Sequence, residues 1–394
     1  MSTHSHALDA IIDQIRQARG ADKPLRVRGG GSKDFFGSGL GGEVLETGGL
    51  HGIVSYEPSE LVVTVRAGTP LAELEAALQE KNQCLPFEPP HFGEGLAGSG
   101  TVGGTVAAGL SGPARASAGA VKDFVLGARF VNGRGEHLTF GGQVMKNVAG
   151  YDVSRLMAGS WGTLGVITEV SLKVLSFAPC EATLACDLAQ GPALDLLQRW
   201  GSQPLPLNAS CWVHDPADAS VPSSGADKLF VRLRGAVAAV QAALPRMRAD
   251  VRALGGDTQV MDNAQAGPDW AAARDQRLPF FSAPTAPDLC LWRLSVAQTT
   301  PVLDLPYAPF IEWHGGQRWL WAPASAAPQL HALAQRAGGH ATLFRRPAGA
   351  LAQVNAGVPV FAPQDAAQAR IQSALQHQFD PDGVFNTRRL NSVV

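Results

Sequence analysis

The distribution of glycine constrains this chain more than any other feature. Of 44 glycines in 394 residues, 30 fall in residues 1–175 and 14 in the remaining 219. Glycine loses more conformational freedom on folding than any other residue, so clustering marks backbone that must turn sharply or let another group approach closely. A half that merely has many turns is the bland alternative, and three clusters bear on the choice. The first is Arg28-Gly29-Gly30-Gly31-Ser32-Lys33, following a short strand at Pro24–Val27. Its consecutive N–H groups can converge in a nest, and Arg28, Ser32 and Lys33 add donors, a chemistry that suits an anionic diphosphate. A bare turn remains the other reading, and the loop is not a Walker loop because GxxxxGK[ST] is absent.

The second cluster is Gly98-Ser99-Gly100-Thr101-Val102-Gly103-Gly104-Thr105. Gly98, Gly100 and Gly103 fit GxGxxG, but a nicotinamide fingerprint needs a buried strand immediately before it. The Pro-rich stretch 86–95 stands there instead. The third cluster comprises Gly150, Tyr151 and Asp152, then Gly159, Ser160, Trp161, Gly162, Thr163, Leu164, Gly165, Val166, Ile167 and Thr168. Tight glycine positions before a strand bring its backbone edge against a flat ring.

Composition narrows the class. Lys+Arg number 32 against 34 Asp+Glu, a net charge of −2, and no basic stripe argues for nucleic acid. No stretch approaches ~20 uninterrupted apolar residues, so no membrane span is expected. The first 20 residues read as an amphipathic helix with Leu8, Ile11, Ile12, Ile15 and Ala18 in helical period, not as a signal peptide. Five dispersed cysteines (Cys84, Cys180, Cys186, Cys211, Cys290) without paired spacing suit a reducing cytoplasm and carry no iron–sulfur ligand pattern.

The first half reads as α+β. A β-branched run at 61–66 precedes a helix capped and opened by Thr69 and Pro70 and running to about Asn82. Strands at 125–131 and 136–140 are joined by an Asn132-Gly133 turn, and 164–174 alternates like a strand. In the second half, strand-like pieces at 229–233, 289–295 and 318–322 mix with helical stretches near 187–200, 236–254 and 326–338. The stretches 204–222 and 263–268 read as loops, and 365–379 as a helix with Ile371, Leu375 and Phe379 on one face. Seven of the eight tryptophans lie beyond residue 199, which favours a core with some positions on a partner surface.

Taken together, the motifs 28–33, 98–109, 144–152 and 159–168 resemble the vanillyl-alcohol-oxidase-like flavoproteins with a PCMH-type FAD domain. The likeness covers about residues 20–175 and returns at 379–386. It implies an α+β fold: a PCMH-type FAD-binding domain of two α/β subdomains at 1–178, a smaller α+β cap or substrate-type domain at 179–345, and a segment 346–394 returning to the FAD domain. It further implies that Arg28, Gly29, Gly30, Gly31, Ser32 and Lys33, with Gly98, Ser99, Gly100, Thr101, Gly103, Gly104 and Thr105, clamp the FAD pyrophosphate. Asp152, Gly162, Gly165, Ile167 and Asn386 complete the expected FAD contacts. In relatives with covalent flavin a histidine occupies the first loop; Gly31 stands at that place, so FAD is expected to be non-covalent. His91, near the second loop, reads as a histidine in a Pro-rich turn.

Related 2-hydroxy-acid dehydrogenases hold a metal through His-x-Gly-Asp-Gly-Asn-x-His. Here the nearest segment begins at His314, with Gln317 in place of the Asp and Trp321 in place of the second His, which implies a lost metal site. Arg318, or the pair Arg345 and Arg346, is a candidate for binding a carboxylate, against a solvated pair. The resemblance therefore implies the FAD-binding subunit of a multi-subunit 2-hydroxy-acid (glycolate) dehydrogenase. Its expected partners are a larger flavin subunit and an iron–sulfur subunit, and its substrate is a small 2-hydroxy acid. No catalytic base is identified. The expected location is cytoplasmic, peripheral to the inner membrane only through partners. A self-sufficient FAD oxidase and a structural, flavin-poor subunit are the alternatives.

Overall fold

A computed structural model describes residues 3–21, 23–37, 41–93, 100–142, 152–215, 226–282, 284, 286–347, 358–385 and 389–390. The chain divides into two compact units, the first made of Met1–Ser111, Gly119–Phe177 and Pro363–Val394, the second of Gly112–Ala118 and Ala178–Ala362. Two segments depart from the expected boundaries. Gly112–Ala118 belongs with the second unit, and so do residues 346–362, where Leu343 N donates to Val360 O and Thr342 bridges Phe361.

In unit 1, helix α1 (Thr3–Ala21) buries Ile11, Ile15 and Ala18, spaced by four and three residues, as one helical face requires. That face packs on Leu25 of β1 (Leu25–Arg28) and Leu45 of β2 (Glu43–Glu46), two strands paired in parallel. Strands β3 (Ile53–Glu57) and β4 (Val62–Arg66) follow, then α2 (Leu71–Gln79), which turns Leu71, Leu74 and Leu78 inward. The expected Thr69 cap is absent: Pro70 holds the cap position without a side-chain bond, and Thr69 Oγ1 accepts from Gly52 N instead.

After β5 (Gln83–Cys84), α3 (Val102–Ala108) is capped by Thr101, whose Oγ1 accepts from Gly104 N at 3.2 Å. The chain then leaves for unit 2 through α4 (Arg115–Ala118) and returns at α5 (Val121–Phe124). Strands β6 (Val125–Val131) and β7 (His137–Gly141) form a hairpin, but its loop is five residues long and its left-handed position is Gly135, not Gly133. Gly133 serves a different need: a Cβ there would stand 2.2 Å from Asp380 Oδ1. Helix α6 (Val153–Leu156) precedes β8 (Val166–Lys173) and β9 (Leu175–Ser176). The resulting five-stranded sheet, ordered β3-β4-β8-β6-β7, is antiparallel throughout.

Unit 2 is built on an eight-stranded antiparallel sheet. Its elements are β10 (Cys180–Asp187), α7 (Gln190–Gly201), β11 (Leu207–Asp215), β12 (Ala226–Gly235), α8 (Val237–Ala253), β13 (Thr258–Met261) and α9 (Asn263–Arg274). They continue with α10 (Pro279–Ser282), β14 (Cys290–Ser295), β15 (Phe310–Glu312), β16 (Gln317–Ala322), α11 (Ala327–Arg336) and β17 (His340–Arg345). The strand order is β13-β10-β12-β11-β15-β16-β14-β17. Helices α7 and α8 bury Leu194, Leu197, Trp200, Val240 and Met247 against β10 and β12, while α11 packs on β14.

Two expected loops are regular structure. Residues 207–215 form β11, and 263–268 open α9, where Asp262 caps Ala264 N and buried Trp270 donates to Thr183 Oγ1 at 2.9 Å. This anchorage outweighs the helix-breaking tendency of Gly267 and Pro268. The tryptophans are core rather than surface: Trp200, Trp212, Trp270, Trp292, Trp313 and Trp319 are all buried. Trp321 is half-buried and donates to Phe280 O.

The chain rejoins unit 1 through α12 (Ala366–Phe379), capped by Asp365. Its expected apolar face is covered only at its C-terminal end: Ile371 is 59% exposed and Leu375 half-buried, while Phe379 packs edge-on against Phe130 with ring centroids 5.7 Å apart. Beyond it, the Asp380 carboxylate accepts from Val384 N and Phe385 N, both at 2.8 Å, and Phe385 runs parallel to Leu25.

Candidate functional site

The glycine clusters converge in unit 1. The turn after β1, the start of α3 and the loop before β8 line an open cleft of about 660 Å³, a volume that includes open solvent. Arg28, Gly29, Gly30, Gly31, Ser32 and Lys33 come from the first turn, Thr101, Gly103 and Gly104 from the second, and Gly162, Gly165 and Ile167 from the third. Gly100 stands just behind the lining: a Cβ on it would be 3.5 Å from Lys33 Nζ and Ser32 Oγ. Thr105 is buried deeper, its Oγ1 without a hydrogen-bond partner. Gly98, Ser99 and Asn386 lie outside the described residues.

Two glycines are required by geometry. A Cβ on Gly103 would lie 2.5 Å from the Cβ of Ala67, so only glycine lets α3 sit against the end of β4. Gly165, at φ +149, would place a Cβ 2.6 Å from Val131 O. Gly104 differs, since only Thr101 Oγ1 stands near its absent Cβ, at 3.0 Å. Its bare face belongs to the cleft.

The charges are unevenly used. Arg28 is no free donor: its Nε bonds Asp34 at 3.0 Å and its Nη1 bonds Glu46 at 3.3 Å, contacts that raise its pKa and brace the turn. Asp152 is corrected more fully. It caps α6, accepting from Arg155 N at 3.3 Å and pairing with Arg155 Nε at 2.9 Å, and it does not line the cleft. Lys33 is the opposite case. It is buried, its Nζ lies 3.5 Å from Ser32 Oγ and over the Phe92 ring at 5.9 Å, and among the described residues no carboxylate pairs with it. Burial pushes its pKa down to about 8. An ammonium so placed is costly without a counter-anion.

Sequence reasoning missed the aromatic wall. Trp161 lines the cleft in left-handed backbone (φ 53), stacked on Phe36 with ring centroids 4.3 Å apart. Arg389 lies over the Trp161 ring at 5.0 Å and donates from Nη2 to Lys33 O at 3.0 Å. Trp161 sat within the third cluster, between two small residues; Arg389 is 356 positions from Lys33 and carried no local signal. His91 is not on the lining; its Nε2 stands 2.9 Å from Glu75 Oε2. Bare backbone, an uncompensated buried ammonium and a flat aromatic wall together fit a dinucleotide with a diphosphate.

The second set of candidates lies in unit 2. His314 has its Nδ1 2.9 Å from Ser210 Oγ and its Nε2 3.0 Å from Ser117 Oγ, so both ring nitrogens are engaged. Burial lowers its pKa to about 4. Gln317 Nε2 and Trp319 Nε1 donate to the buried Glu312 carboxylate at 3.0 and 2.7 Å. The carboxylate-binding candidates are spoken for. Arg318 gives its donors to the carbonyls of Gly315, Pro301 and Thr300. Arg345 donates to Gln276 Oε1 and Arg346 to Val358 O.

Comparison with known proteins agrees with this geometry. A family profile described as an FAD binding domain matches residues 6–141. The chain is 42% identical over 381 residues, 97% of its length and 96% of the relative's, to glycolate oxidase subunit GlcE of Escherichia coli K12. It is 30% identical over 163 residues to glycolate oxidase subunit GlcD of Bacillus subtilis and 34% identical over 135 residues to D-lactate dehydrogenase of Anaerostipes hadrus, spanning 34% and 27% of those proteins. In fold it is similar to solved structures of alkyldihydroxyacetonephosphate synthase, with TM-scores of 0.63 and 0.65 at 15% and 14% identity, covering 96% of this chain and 75% of theirs. A buried ammonium that no described carboxylate pairs with, in a cleft lined largely by glycine backbone, thus occurs in an FAD-dependent oxidoreductase, and the chain belongs to the GlcE family of glycolate oxidase subunits.

Proposed function

We propose that this chain is the FAD-binding subunit of a multi-subunit 2-hydroxy-acid dehydrogenase that oxidises glycolate to glyoxylate and delivers electrons to an iron–sulfur partner. The observation that carries the reading is Lys33, a buried cation that no described carboxylate pairs with, in a cleft lined largely by glycine backbone together with Trp161 and Ile167. We assign unit 1 to FAD and unit 2 to the cap or substrate role. FAD would supply hydride acceptance from the substrate's CH–OH carbon. The chain's own residues bind and orient it. Lys33 neutralises diphosphate charge, the Gly29–Gly31 turn and the Gly103-Gly104 backbone allow its close approach, and Trp161 adds aromatic surface to the lining.

Attachment is non-covalent in this reading, because Gly31 stands where relatives with covalent flavin carry a histidine. The complex is supported by the names of the relatives, which describe two different subunits of glycolate oxidase. It is also supported by His314, whose ring nitrogens are both engaged by serines and offer a metal nothing without breaking a bond. The larger flavin subunit and the iron–sulfur subunit are the proposed partners. A cytoplasmic location fits the five free cysteines, and no described helix is long and apolar enough to cross a membrane.

The test is a visible spectrum of the FAD-loaded chain during anaerobic addition of glycolate. The flavin band should stay oxidised with this chain alone and bleach when partner subunits are present. Bleaching by the isolated chain would replace the proposal with a self-sufficient enzyme, and failure to take up FAD would leave a structural subunit.

A further inference from the structure

The returning C-terminal segment reaches the cleft at Arg389. Its path is set by Asp380, whose carboxylate accepts from Val384 N and Phe385 N, and by Leu25 N, which donates to Val384 O at 2.6 Å. Phe385 runs parallel to Leu25 at the start of β1, and Arg389 meets the turn that follows the strand. Gly37 makes room for it. At φ +104, a Cβ on Gly37 would stand 2.8 Å from Arg389 Cγ and 3.0 Å from Arg389 O.

Arg389 lines the cleft yet is only 6% exposed. Its Nη2 donates to Lys33 O at 3.0 Å, its guanidinium lies over Trp161, and its buried Nε has no hydrogen-bond partner among the described residues. No described carboxylate is paired with it; Asp34 is held by Arg28 Nε at 3.0 Å and stands 3.6 Å from Arg26 Nη1. A guanidinium carries five donors and no acceptor, so one bond to a carbonyl leaves most of its capacity unused. Two buried cations from opposite ends of the chain, Lys33 and Arg389, thus share one cleft.

We propose that Arg389 is a positioning residue for the cofactor, a latch through which the C-terminal segment and the bound diphosphate hold one another in place. It fixes Lys33 from behind, through the carbonyl of the residue whose ammonium meets the anion, and it joins the first glycine turn to Trp161 of the third cluster. Groups that touch a ligand keep their geometry only when further hydrogen bonds and packing lock them. A planar guanidinium can donate to a carbonyl and stack on an indole at once, which an ammonium cannot. A bound anion also lowers the cost of keeping Arg389 charged and buried. The ligand therefore favours the docked segment, and by linkage the docked segment favours the ligand by the same factor. The latch rests on the FAD assignment of unit 1 proposed above and adds the C-terminal segment to that site.

The test combines FAD titration with amide hydrogen exchange over residues 380–390 of the full chain, flavin-free and FAD-loaded. FAD should slow exchange in this segment of the unaltered chain. Arg389→Met should bind FAD about tenfold more weakly and lose that FAD-induced protection, with the melting temperature of the flavin-free chain little changed. A merely structural arginine would do the reverse, lowering the melting temperature and leaving the protection in place. Arg389→Lys keeps the charge without the fork, should recover only part of the affinity, and serves if the first variant does not fold. In the Lys33→Met, Arg389→Met double variant the loss should be smaller than the product of the single losses, because Arg389 acts through Lys33. Unchanged affinity in both Arg389 variants, protection that persists without Arg389, or losses that multiply would each overturn the latch while leaving FAD in unit 1. Failure of the unaltered chain to take up FAD would overturn the FAD assignment and the latch together.

Discussion

The two units treat their polar groups in opposite ways. In unit 1 the cleft is lined largely by glycine backbone, and the buried Lys33 ammonium has only a long contact to Ser32 and the Phe92 ring, with no described carboxylate paired to it. In unit 2 most buried polar groups are consumed internally: Arg318 by backbone carbonyls, His314 by Ser117 and Ser210, Glu312 by Trp319 and Gln317. The first arrangement stores an electrostatic deficit that a ligand relieves. The second is spent on holding the sheet together. Satisfied networks rigidify, whereas unsatisfied buried charges mark places awaiting a partner.

Four changes would break or sharpen this contrast. The largest effect should come from Trp292→Ala, which empties a fully buried position beneath α11 and should cost about 3–5 kcal/mol. A denaturant midpoint within error of the unaltered chain's would contradict the assignment of unit 2's tryptophans to its core. Next, Gly104→Val projects methyl groups into the cleft while meeting only Thr101 Oγ1 in the protein. Its FAD affinity should drop more than tenfold with little change in the melting temperature of the flavin-free chain, both read by titration and calorimetry.

The third change is one of pH. Lys33 has a pKa of about 8 without a bound anion, below the usual value of about 10.4. A diphosphate favours the charged form and raises that value, so binding takes up a proton above pH 8. FAD affinity should therefore weaken as pH rises through 8, by at most about tenfold per unit. Lys33→Met should bind more weakly and lose that slope. The smallest effect concerns His314, whose folded pKa of about 4 lies below the usual value of about 6.5. Between those values the unfolded chain holds more protons, so stability is full above pH 6.5 and is lost progressively as pH falls toward 4. His314→Gln should flatten that limb of the stability profile, as followed by denaturant melts across pH 4–7.

The glycine clusters made the cleft legible because backbone approach is written into local sequence. The turn at 29–31 and the pair Gly103 and Gly104 needed no tertiary knowledge. Asp152 misled because a polar residue beside a glycine-rich motif looks alike whether it meets a ligand or caps a helix; Arg155 three positions on decides for the cap. Arg389 was out of reach for another reason: it is brought to Lys33 by the returning C-terminal segment. Helix α9 shows propensity overruled: a Gly-Pro pair inside it is tolerated because Trp270 is locked to Thr183. The five-residue hairpin loop at 132–136 follows from Asn132, whose side chain accepts from Arg134 N and Glu136 N and so rejects the shorter turn.

The central claim is that FAD binds unit 1 through bare glycine backbone and the Lys33 charge. Isothermal titration of FAD into the flavin-free chain and into the Gly104→Val, Lys33→Met double variant tests it most directly. The account predicts one FAD per unaltered chain and no measurable binding by the double variant, with both proteins folded. Equal affinity in the two would contradict it.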